Sequence, residues 1–169
     1  AAVPLDPRGD DSFSYRDVDA RIHFTRDAAG TPNAAQLRQN GAVTNMPRVA
    51  ASVAARSEEA TARKVSSKSA TPGTAAALAA LIDGLAAGQP DLSRMNPQLA
   101  AALAQDAPRF KSDLSALGAR GAIDFVGVDA GGLDLYRVDH AHGSSVWSIK
   151  LDSAGKIISL FWEPRPQAS

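Results

Sequence analysis

Up to about residue 48, apolar and polar positions alternate with the period of a β-strand. Phe13-Ser14-Tyr15-Arg16 shows the pattern first, and Ile22-His23-Phe24-Thr25 repeats it after Ala20-Arg21. Asp27-Ala28-Ala29-Gly30 reads as a turn, with Gly30 available for a positive φ. Ala34–Gln39 is the return strand. Asn40-Gly41 is a strong hairpin signal, because both residues tolerate the positive φ of a type I′ turn, and Val43–Met46 follows as a fourth strand. Three or four short strands cannot bury both faces, so this meander needs something to pack on. A bare strand edge invites aggregation, so the meander's strands are expected to pair with the second module.

The period changes after Pro47. Val49 to about Val65 is rich in Ala, Glu, Arg and Lys, with a thin apolar face of Val49, Val53 and alanines, and predicts a linker helix. Ser66–Ala70 is polar and marks the domain boundary. Thr71-Pro72 then reads as an N-cap followed by proline at the first helical position. Leu78, Leu81, Ile82 and Leu85 form a stripe at i, i+3, i+4 and i+7, and Gly88 and Pro90 stop it. Asn96-Pro97 repeats the cap-and-proline device. Leu99, Leu103, Phe110, Leu114 and Leu117 continue one face up to Gly118, with Pro108 expected to break or kink the helix. Four strands follow: Ile123–Val128, Leu133–Asp139, Val146–Leu151 and Ile157–Trp162. Their short links predict antiparallel neighbours. Leu133 and Leu135 alternate with Asp134 and Tyr136, and Trp147, Ile149 and Leu151 with Ser148 and Lys150. One face is therefore expected to meet the helices and the other to stay partly polar. The expected fold class is α+β: an N-terminal antiparallel meander (1–48), a linker helix and loop (49–70), then helices on a four-stranded antiparallel sheet (71–166). That last arrangement is a roll of the cystatin or nuclear-transport-factor-2 kind.

Composition narrows the function. The 169 residues are 44% hydrophobic, enough for a real core. Eighteen basic and eighteen acidic side chains cancel, which argues against a nucleic-acid partner, since such proteins carry a basic excess. No apolar run approaches the roughly 18 residues that span a bilayer, so membrane insertion is not expected. Without cysteine, thiolate catalysis, disulfides and cysteine metal sites are excluded. Ala1-Ala2-Val3-Pro4 fits a mature end left by signal peptidase, and equally an arbitrary chain boundary.

Ser153-Ala154-Gly155-Lys156 matches S-x-x-K, but that chemistry needs serine at a helix N-terminus, and here glycine interrupts a hairpin. Arg8-Gly9-Asp10 reads as a flexible N-terminal turn rather than an adhesion tripeptide. Asp139-His140-Ala141-His142 would point both imidazoles the same way on a strand. His23, Asp139 or Asp134 would have to complete a metal site, and a polar hairpin tip explains the same residues. Asp124, Asp134 and Tyr136 could line the polar sheet face as an acid/base group, or simply be solvated there. Trp147 reads as core. Trp162 reads as core or as an interface anchor.

Two stretches resemble a known family. Ile22-His23-Phe24-Thr25-Arg26-Asp27-Ala28-Ala29-Gly30 and Leu37-Arg38-Gln39-Asn40-Gly41, within 13–49, resemble the closing strands of the lipocalin-like C-terminal domain of bacterial β-lactamase-related serine hydrolases. Leu117-Gly118, Phe125-Val126-Gly127, Gly132-Leu133-Asp134-Leu135-Tyr136, Trp147-Ser148-Ile149 and Gly155-Lys156-Ile157 look like the small α+β domain beside such regions in proteobacterial envelope proteins. The family's catalytic domain is not in this chain, so the resemblance carries over no catalytic residue, metal or cofactor. It implies an accessory piece in the periplasm or secreted, standing alone or cut from a longer protein. The expected function is non-catalytic binding of a protein partner, as an accessory protein or an inhibitor of an envelope enzyme. Asp134, Tyr136, His140, His142 and Trp162 are the candidate contact residues. The alternative is a small pocket enzyme or ligand-binding protein using the polar sheet face.

Overall fold

The computed structural model describes residues 4–16, 19–39 and 42–166. The chain is α+β, with two antiparallel sheets and three α-helices among the described residues. Internal contacts divide it into two units, Ala1–Ser57 and Glu58–Ser169. The division falls inside helix α1 (Ala51–Ser67), because the C-terminal half of that helix packs on the second unit through Thr61 and Lys64. No helix among the described residues is long and apolar enough to cross a membrane.

The first unit is a five-stranded meander of β1 (Leu5–Gly9), β2 (Ser12–Tyr15), β3 (Ala20–Arg26), β4 (Pro32–Gln39) and β5 (Ala42–Pro47), each paired with the next. The sequence missed β1, which offers one large apolar residue and a proline. Asp10 (φ 46°) and Asp11 (φ 56°) turn β1 into β2, both in the left-handed region that a type I′ hairpin requires. The Arg8-Gly9-Asp10 triad is thus a strand end and its turn. Phe13, Ile22, Phe24 and Leu37 share one half-buried face, with the Phe13 and Phe24 rings edge to face at 5.8 Å. Asn40-Gly41 lies outside the described residues, as do Ala1–Val3, but Gln39 and Ala42 pair across the hairpin. Among the described residues these strands pair only with one another, contrary to the expected pairing with the second module. Instead, Pro7 with a register shift on β1, and Pro47 ending β5, interrupt the two edge ladders.

The second unit is built in layers. Helices α2 (Thr74–Ala87) and α3 (Pro97–Leu117) cover one face of β6 (Arg120–Val128), β7 (Asp134–His140), β8 (Gly143–Leu151) and β9 (Ile157–Pro166), which pair in that order. Leu78, Leu81, Ile82 and Leu85 are buried as the stripe predicts, against Tyr136, Val138, Trp147 and Ile149. Burying each such aliphatic side chain stabilises the fold by about 2–3 kcal/mol before entropy is counted. Gly88 closes α2 at φ 76°, its N–H on Leu85 and the next N–H on Gly84, a Schellman motif. Asn96 caps α3, its side chain accepting from the Leu99 N–H at 2.8 Å, and Pro97 takes the first turn.

Two helix expectations are corrected. The cap of α2 is Gly73, not Thr71. Pro72 and Gly73 (φ 89°, ψ −14°) fill a type II turn whose Thr74 N–H bonds the Thr71 carbonyl. Thr71 is thereby left to bond elsewhere, as described below. Pro108 does not break α3, which runs unbroken to Leu117. Both Pro108 and Ala104, whose carbonyl loses its intrahelical donor, are exposed, so water can replace that bond.

One turn recurs three times, at Asp27–Thr31, Asp129–Leu133 and Asp152–Lys156. In each, the aspartate Oδ1 accepts the N–H groups two and four residues on, all at 2.9 Å. The glycine at the fourth position takes φ 78°, 79° or 78°. Ser153 and Lys156 are therefore exposed positions of a hairpin, as the glycine between them predicts.

Candidate functional site

Asp134 and Tyr136 do not line an open face. They point into the helix-packed core, 1% and 2% exposed, while Leu135 and Arg137 take the other side of β7. A buried carboxylate needs full compensation. Its Oδ2 accepts the Thr71 N–H at 2.8 Å and the Thr74 hydroxyl at 3.0 Å, and Lys64 Nζ sits 2.6 Å from Oδ1. The Tyr136 hydroxyl lies 2.7 Å from Thr74 Oγ1 and donates to it while Thr74 serves the carboxylate. Burial pushes Asp134 up, but Lys64, Thr71 and Thr74 together outweigh it and hold the carboxyl below its ordinary range. Burial, aided by the Asp134 charge and opposed by the Thr74 bond, raises the Tyr136 phenol. The network ties α1, the start of α2 and β7 together. Asp124, on the opposite face, is exposed and registers against Arg137.

The two histidines separate because β7 ends at His140, so strand alternation does not reach His142. His140 Nε2 lies 2.8 Å from Ser145 Oγ, which also accepts the Trp147 indole N–H at 2.7 Å. Burial lowers the His140 imidazole below its ordinary 6.5, with Arg120 adding to the effect and the Gly118 carbonyl and Asp139 opposing it. His142 is exposed, its backbone N–H bonded to the Leu117 carbonyl at 2.8 Å. Among the described residues no three His, Asp or Glu side chains converge as a metal site would need.

Trp147 is fully buried. Trp162 is half-buried, its ring 5.1 Å from both Trp147 and Phe110. This aromatic stack floors a groove between α3 and the edge strand β9. The groove comprises two hollows of about 310 and 150 Å³ that share Asp106, Phe110, Leu160, Phe161 and Trp162. Arg109 and Asp113 border the larger one, and Leu99 and Leu103 line the smaller. Phe161 is 66% exposed at its margin. Among the described residues β8 is the only strand that pairs with β9, and Met95 forms an isolated parallel bridge to Ile157 at its start. Asn96 bonds the Ile157 and Ile158 carbonyls on the free side, and Pro164 and Pro166 close the far end.

A larger hollow, about 620 Å³, opens on the polar face of the first sheet. Arg8, Ser12, Arg21, His23, Gln36 and Arg38 line it, with Asp10. From the sequence, Arg8 and Asp10 read only as a turn and His23 only as a spare metal ligand, while Arg21, Gln36 and Arg38 are lost when only the apolar half of the alternation is followed. Arg21-x-His23 and Gln36-x-Arg38 were the legible signal.

No family model, no curated protein and no solved structure matches the chain.

Proposed function

We propose that this chain is a non-catalytic binding protein of the bacterial envelope that grips an extended segment of a partner protein along β9. The observation that carries the reading is Phe161, two-thirds exposed beside an aromatic-floored groove on an unpaired strand edge. Single exposed apolar residues are ordinary; one that borders a preformed apolar hollow is an anchor. An added strand would bond the free backbone of the Ser159–Glu163 stretch and set alternate side chains against Leu103, Phe110 and Trp162. Asp106, Arg109 and Asp113 supply a polar rim. The envelope location follows the family resemblance alone. Inhibition of an envelope enzyme is the sharper form of the reading, with a stoichiometric complex and no turnover. The core placement of Asp134 and Tyr136 supports the non-catalytic half, because no substrate reaches either group.

The test is capture from a bacterial envelope extract by the parent protein and by Phe161→Arg, then calorimetry with the recovered partner. Phe161 is exposed enough that the substitution should change stability by less than about 0.5 kcal/mol. Support requires a one-to-one complex that Phe161→Arg weakens by about a hundredfold, as loss of an anchor does. A partner that binds both proteins equally would sink the reading.

A further inference from the structure

We propose that the polar face of the β1–β5 sheet is a binding site for a small anionic molecule bearing phosphate or carboxylate groups. Arg21 and Arg38 stand directly opposite each other on β3 and β4. Like charges in that position destabilise a sheet, so the pair opposes folding unless something negative sits between or above it. Among the described residues neither forms an ion pair, and nor does Arg8. The neighbouring acids are committed elsewhere: Asp6 to Arg16 at 2.8 Å, with Arg8 acting on it only at longer range, and Asp11 to Arg26 at 2.5 Å. Asp10 is the one carboxylate in the lining, against three guanidinium groups.

Two of the three cations are also held in place. Arg8 spends its Nε–H on Ser14 Oγ at 2.7 Å, and Arg38 spends its Nε–H on Gln36 Oε1 at 3.2 Å. Gln36 is fixed in turn by donating to Asn45 Oδ1 at 3.1 Å. The Arg8 and Arg38 guanidiniums are therefore each positioned through one nitrogen, and their terminal NH₂ groups make no side-chain hydrogen bond among the described residues. A planar fork of that kind suits bidentate recognition of an oxyanion. Ser12 and His23, 3.0 Å apart, add two further hydrogen-bonding groups to the same hollow. Its volume is that of a small-molecule site rather than a single-ion notch.

Calorimetry on the full chain at constant ionic strength would use inorganic phosphate, citrate and chloride separately. Saturable one-to-one binding of phosphate or citrate below about 10 mM, with none for chloride, is expected, and the stronger of the two assigns the class. Arg38→Gln and Arg21→Gln should each weaken binding about tenfold or more, while Arg63→Gln, on α1 and not in the hollow's lining, leaves it unchanged. The same two variants should be at least as stable as the parent without ligand, because each removes a like-charge pair. Absence of saturable binding, equal loss in Arg63→Gln, or lowered stability of the ligand-free arginine variants would each overturn the proposal.

Discussion

The two units use the same turn and reach different ends. Asp27–Thr31 in the first and Asp152–Lys156 in the second are superimposable in hydrogen bonding, down to a glycine φ of 78° in each. Yet the second unit seals Leu78, Val138, Trp147 and Ile149 completely, whereas Ala20 and Ser14 are the only described residues buried in the first sheet. Turns set register; they do not bury area. Only a second layer does that, and α2 with α3 provides it for β6–β9. The first sheet's polar face is correspondingly free to carry charge that a packed face could not.

The largest expected effect sharpens this contrast. Leu78→Ala should cost about 3–5 kcal/mol, since a fully enclosed side chain leaves a cavity that its neighbours cannot close. Phe24→Ala, at a half-buried position of the first sheet, should cost about 1 kcal/mol. Both tryptophans lie in the second unit, so denaturation followed by their fluorescence reads Leu78→Ala, and amide exchange in β3 reads Phe24→Ala. Equal losses would mean that the first sheet has as firm a core as the second.

What the sequence made legible follows the same line. The i, i+3, i+4, i+7 stripe of α2 and the apolar alternation of β8 report burial directly, because removal from water is what selects those residues. The face of β7 was misread for the opposite reason. Asp134 looks like a surface residue, and only Lys64, Thr71 and Thr74, distant in sequence, make its burial tolerable. Period-2 reasoning then put Leu135 inside and Tyr136 outside. Partners that converge from 60 and more residues away leave no local pattern. The charged hollow was missed similarly: Arg21 and Arg38 are opposed by strand register, which no single segment displays.

Breaking that buried network should have the next largest effect. Asp134→Asn keeps the shape but strips the negative charge from Lys64, and should cost about 2–3 kcal/mol by urea denaturation at neutral pH. The folded carboxyl lies below its ordinary 3.8, so its stabilisation is complete above that value and disappears as pH falls through the lower folded value. Parent and variant stabilities should therefore converge only below pH 3.8. Convergence at a higher pH would mean that Lys64, Thr71 and Thr74 do not outweigh burial.

The smallest effect is also the most direct comparison of the units. Gly30→Ala and Gly155→Ala place the same methyl group at the same φ, with nothing within 4 Å of either added carbon. Packing is thus removed from the comparison, leaving the strain of a left-handed alanine, about 1–2 kcal/mol at each site. If stability is local to each turn, amide protection should fall by matching amounts in β3–β4 and in β8–β9. A much larger loss in β3–β4 would show that the single-layer sheet depends on its turns for more than register. That outcome would make Asp27 and Gly30, rather than Phe13, Ile22 and Phe24, the principal support of the surface that presents Arg21 and Arg38.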